Sequence, residues 1–86
     1  MSDATWQKHL EREMKVRKDP GPILRCTLSD AEMRVEFDDG YGGTEGQPFT
    51  AWTDNWVYFP VMYDGSEWVE SVPRNPCDEA TEHVGG

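Results

Sequence analysis

The side chains able to do chemistry are few. This 86-residue chain holds two histidines, His9 and His83, two cysteines, Cys26 and Cys77, and seventeen acids against eight Lys and Arg. Nucleophilic catalysis needs a nucleophile, a base and an orienting group within reach of one another. Neither histidine stands beside a Ser or Cys in a motif such as a nucleophile elbow, so a triad would need distant residues. Structural zinc draws four ligands from close pairs. His9, Cys26, Cys77 and His83 number four, yet the nearest two, Cys77 and His83, are six residues apart. The acids pair in too many ways to single out a glycosidase couple. The chain therefore reads as a non-enzyme with no cofactor and no metal. Cys26 is expected as a small core residue and Cys77 as a free thiol in a tail.

Asp38 to Pro48, DDGYGGTEGQP, carries four glycines and three acids, Asp38, Asp39 and Glu45. A calcium loop alternates oxygen ligands and closes on a bidentate Glu, and that alternation is absent. A phosphate cradle would need a following lysine and a helix start. The segment is expected to be a mobile loop or a glycine-shaped bend.

These residues must be positioned by an α+β fold, an N-terminal helix packed on an antiparallel sheet of about five short strands. The helix is expected over residues 2–18, capped by Ser2 or Asp3, with Lys15, Arg17 and Lys18 at its negative end. Trp6, Leu10 and Met14 step by four and form a narrow apolar stripe. That stripe either packs on the sheet or leaves a half-exposed Trp6 for a partner. Asp19-Pro20-Gly21-Pro22 stops the helix, because proline lacks the donor and disfavours helical geometry before it.

Beyond the break the period changes from helical to alternating, and the sheet is expected over residues 23–72. Leu24, Cys26 and Leu28 share one face, as do Met33, Val35 and Phe37, and Ser29 to Glu32 is the simplest hairpin join. Phe49–Thr53, Trp56–Tyr63 and Glu67–Val72 form a three-stranded meander, linked by Asp54-Asn55 and Asp64-Gly65, which tolerate positive φ. Pro60 marks an edge or a bulge. The run WVYFPVMY is apolar on both faces, so one face packs on the helix and the other is covered by a loop or a partner. Two-sided strands and a proline-marked edge also permit a homodimer. Residues 73–86 are expected to be a flexible polar tail, ending in Gly85-Gly86, within a single domain of 1–86.

Charge is the most informative global feature. Through Arg34, seven bases meet six acids, a balance of +1; from Val35 onward, eleven acids meet the single base Arg74, a balance of -10, giving -9 in all. Such a field repels phosphate backbones and attracts basic protein surfaces. No stretch has the apolar length of a membrane span and the N-terminus lacks a secretory pattern. The expectation is thus cytoplasmic, with no membrane and no direct nucleic-acid contact.

Together these features point to a small acidic protein that binds the basic surface of a host or defence protein, one that itself handles nucleic acid, as an inhibitor or nucleic-acid-mimicking decoy. Spaced carboxylates occupy places where phosphates would sit. The contact residues expected are Asp38, Asp39, Glu45, Asp54, Trp56, Tyr58, Asp64, Glu67, Trp68 and Glu70. In size and charge alone, with no shared motif, the chain is similar to the small acidic inhibitors made by phages, anti-CRISPR and anti-restriction proteins among them. Two alternatives stand beside this reading. One is a structural or assembly subunit whose acidity serves solubility; the other is a ubiquitin-like modifier or sulfur carrier using its terminal Gly-Gly, whose family order of hairpin then helix this chain does not follow.

Overall fold

A computed structural model describes residues 3–38 and 46–84. The element order is β1 (Asp3–Ala4), α1 (Trp6–Arg17), β2 (Arg25–Cys26), α2 (Asp30–Met33), β3 (Phe37–Asp38), β4 (Ala51–Trp52), β5 (Trp56–Tyr63) and β6 (Ser66–Pro73). The expected α+β class and the packing of the N-terminal helix on an antiparallel sheet hold. The main sheet has four strands in the order β2-β4-β5-β6, and β1 pairs separately with β3.

The helix starts later than expected. Asp3 and Ala4 are drawn into extended pairing with Asp38 and Phe37, so Thr5 takes the cap and its hydroxyl accepts from Lys8 N at 3.2 Å. At the other end Lys18 adopts φ 55. Lys18 N donates to Lys15 O and Asp19 N to Met14 O, a Schellman closure with lysine in the place that glycine favours.

The expected hairpin between residues 23–28 and 33–37 does not form. Ser29 and Glu32 instead make a capping box, with Glu32 N donating to Ser29 Oγ at 3.1 Å and Ser29 N to Glu32 Oε1 at 2.8 Å. Both orphan donors of a helical turn are satisfied, and the turn drops Met33 into the core at 3% exposure. Arg25 and Cys26 pair with Trp52 and Ala51 instead.

The meander forms as expected. Asp64 and Gly65 take φ 51 and 83, the two positive values of a type I′ turn, and β5 and β6 pair over their full length, from Trp56↔Pro73 to Tyr63↔Ser66. Strand β4 reaches only Val57 and Tyr58 of β5. Pro60 therefore lies beyond β4, where a missing donor breaks no ladder on that side.

The core lies between the sheet and α1. It holds Trp6, Leu10, Met33, Phe49, Ala51, Tyr58 and Val69, and each large apolar side chain buried this way contributes roughly 1.5–3 kcal/mol. Trp6 is 2% exposed, so the stripe of Trp6 and Leu10 packs inward and the exposed-Trp6 alternative is corrected. Its indole donates to Gln47 O at 2.8 Å, and its ring lies 4.6 Å from Phe37 and 5.2 Å from Phe49. No helix among the described residues is long and apolar enough to cross a membrane.

Candidate interaction face

Strand alternation sorts β5 and β6 into two sides. On the α1 side Tyr58 pairs with Ser71 and Pro60 with Val69, and Tyr58, Val69 and Ser71 are all buried. On the opposite side Val57 pairs with Val72, Phe59 with Glu70 and Val61 with Trp68, while Trp52 lies beside Val57 on β4. Every one of these seven residues is only half-buried. Trp68 Nε1 donates to Glu70 Oε2 at 2.7 Å across the i,i+2 spacing of one strand face. This side is a ring-rich apolar surface with no helix laid on it among the described residues.

The α1 side is tied by two polar networks. Asp19 Oδ2 accepts from Thr53 Oγ1 and Tyr58 Oη, both at 2.6 Å, and Oδ1 accepts from Gly21 N at 2.9 Å. Burial pushes the Asp19 carboxyl up, but these three hydrogen bonds outweigh it and hold the group below its ordinary value. The same burial and the same carboxylate push the Tyr58 phenol up. In the second network Ser71 Oγ donates to Glu13 Oε2 at 2.6 Å and accepts from Arg17 Nε at 2.7 Å. Arg17 Nη2 also donates to Ser71 O, and its guanidinium lies 4.2 Å from the Trp56 ring centroid. Desolvation, aided by the nearby Glu70 charge, raises the Glu13 carboxyl. These groups bind the helix end to the sheet, and Tyr58 and Ser71 have no access to solvent.

Among the described residues, the expected contact residues do not gather in one place. Tyr58, 0% exposed, is core and is corrected as a contact residue: its register with Ser71 turns it toward α1. Glu67, 4% exposed, is corrected likewise. It lies on the same inward side as Val69 and Ser71, and its carboxylate accepts from Gly46 N. Trp56 is half-buried beneath Arg17. Asp54 and Asp64 are exposed, but at the turns that begin and end β5, roughly 25 Å apart by strand rise. Trp68 and Glu70 do share the outer face. Asp39 and Glu45, and the side chain of Asp38, lie outside the described residues.

Sequence reading missed Trp52, Val57, Phe59, Val61 and Val72 as members of this face. The signal was available, since Phe59 and Val61 alternate with Tyr58 and Pro60 in β5. Among the described residues no three His, Cys, Asp or Glu side chains come together in a way that could hold a metal ion, and Cys26 and Cys77 are free thiols. No protein-family model, curated protein or solved structure matches this chain.

Proposed function

We propose that this chain is a small binding protein that docks on a basic surface of another protein through the outer face of its sheet. The observation that carries this reading is the row Trp52, Val57, Phe59, Val61, Trp68 and Val72, six apolar side chains left half-buried on the side away from α1. Aromatic side chains in such a row anchor protein interfaces, with surrounding polar groups excluding water. Glu70 within the row, and Asp54 and Asp64 at its two ends, supply the negative rim.

The net charge of -9 disfavours a second copy of the same chain and favours a positively charged partner. In its finer form, the reading is an inhibitor or decoy of the phage type that covers a basic, nucleic-acid-handling site on a host or defence protein. The scattered placement of the acids shifts the weight of that reading from phosphate mimicry toward ring burial. Carboxylates then raise the association rate, and the rings set the lifetime of the complex.

The test is parallel capture from host lysate with the wild type and Trp68→Ala, at about 0.05 and 0.5 M salt. The expected result is a basic protein held by the wild type at low salt, released at high salt as surface charges are screened, and lost with Trp68→Ala. Equal retention by the two proteins contradicts the proposal.

A further inference from the structure

The C-terminal segment runs back beside the middle of the ring face, at Phe59 and Glu70. Arg74 N donates to Asn55 O and Arg74 Nη1 to Thr53 O, and Asn75 Nδ2 donates to Asp54 O, which fixes the exit from β6. Beyond Asn75 the described residues through Val84 are all exposed and form no helix or strand. The segment nevertheless returns to the body. Glu79 Oε2 lies 3.2 Å from Arg17 Nη1, and Glu79, Ala80, Thr81, Glu82 and Val84 border a hollow of about 260 Å³ whose other wall is Arg17, Phe59, Glu70 and Ser71.

The two halves of this ion pair are held very differently. Arg17 is fixed by Ser71 Oγ, Ser71 O, Glu13 and the Trp56 ring. Glu79 is the more exposed partner, 37% against 23% for the Arg17 side chain. The hollow also sets the tail carboxylates Glu79 and Glu82 opposite Glu70. Like charges repel there, and Arg17 is the cation that offsets them.

We propose that Cys77–Val84 is a strap, latched by the pair of Arg17 and Glu79, that covers Phe59 in the middle of the outer face and lifts to expose it. This rests on the reading of that face as the binding surface. A cationic side chain of a partner that takes Glu79 from Arg17 opens the strap, so the charge that attracts the partner also uncovers the ring. One exposed ion pair shifts such an equilibrium by about two- to fivefold.

The test uses the full chain and Glu79→Gln, with Asp78→Asn and Glu82→Gln as charge-matched controls. Broadening of the Phe59 ring resonances by a neutral gadolinium chelate reads exposure without any partner. Glu79→Gln is expected to raise it by about two- to fivefold, Asp78→Asn to leave it near the wild-type value, and Glu82→Gln, which relieves repulsion with Glu70, to leave it at or below that value. Unchanged broadening in Glu79→Gln, or an equal rise in the controls, overturns the strap. A nona-arginine peptide then reads the consequence. Glu79→Gln is expected to bind it at least as tightly as the wild type despite one carboxylate fewer, and Glu82→Gln more weakly; the reverse order contradicts the proposal. The broadening measurement involves no partner, so failure of the strap is distinguishable from failure of the binding surface.

Discussion

Asp19 joins the end of α1 to the sheet by accepting two hydroxyl hydrogen bonds and one backbone bond. Asp19→Ala leaves Thr53 and Tyr58, both fully buried, without their acceptor and is expected to cost about 2–4 kcal/mol. Urea unfolding measures that loss. Its folded pKa lies below the ordinary 3.8, so the unfolded chain binds the proton first on acidification. The stabilisation is present above that value and is lost as pH falls through the folded pKa; Asp19→Asn should lack this part of the acid-induced loss. Glu13 has the opposite sign. Its folded pKa is raised above 4.5, so stability declines as pH rises from 4.5 through the folded value, and Glu13→Gln should remove that slope. Gly46 is a steric requirement: a Cβ there would lie 2.4 Å from Trp6 Cζ2, on a ring already fixed by Gln47, Phe37 and Phe49. Gly46→Ala is expected to cost about 1–3 kcal/mol by overpacking, again read from urea unfolding.

At the level of elements, the left-handed Lys18 gives a gain instead of a loss. A side chain in that region costs about 1–2 kcal/mol, partly offset in a glycine variant by the entropy of its unfolded chain. Lys18→Gly should therefore raise stability by about 0.5–1 kcal/mol, and an unchanged or lower melting temperature contradicts the closure described for α1. The elements with local signals were the ones legible in the sequence: the Asp64-Gly65 turn, the β5–β6 alternation and the Trp6–Leu10 stripe. The Ser29–Glu32 capping box was equally local, yet the alternating residues on either side favoured a hairpin over a single helical turn. The pairing of Asp3–Ala4 with Phe37–Asp38 spans more than thirty residues, and two-residue strands carry no period from which to infer it. The contact residues were legible only as a list of types. Tyr58 and Glu67 look like surface residues until register turns them inward, while Trp52 and Phe59 look like core until register places them on the side away from α1.

For the whole molecule, 86 residues afford one core, and among the described residues that core lies on the α1 side of the sheet. A small domain buries a limited share of its surface, and part of that deficit here falls on the outer face of the sheet. The charge imbalance after Arg34 remains a property of the whole chain, whereas several of its carriers are committed elsewhere. Glu67 is bonded to Gly46 N and Glu79 to Arg17. On the proposed function, specificity belongs to the rings and attraction to the charge. Deleting Gly85 and Gly86 is expected to leave capture of the partner unchanged; loss of capture would favour the modifier reading.

Trp68 and Val69 are neighbours on β6 that point to opposite sides, so one comparison of unfolding free energies tests whether the outer face is surface or core. Val69→Ala, on the buried side, is expected to cost about 2 kcal/mol. Trp68→Ala removes far more atoms, yet should cost about 1 kcal/mol or less if its face is open. A loss of about 3–5 kcal/mol for Trp68→Ala, the range for a buried aromatic, would show that the face belongs to the core and would remove the basis for a binding surface there.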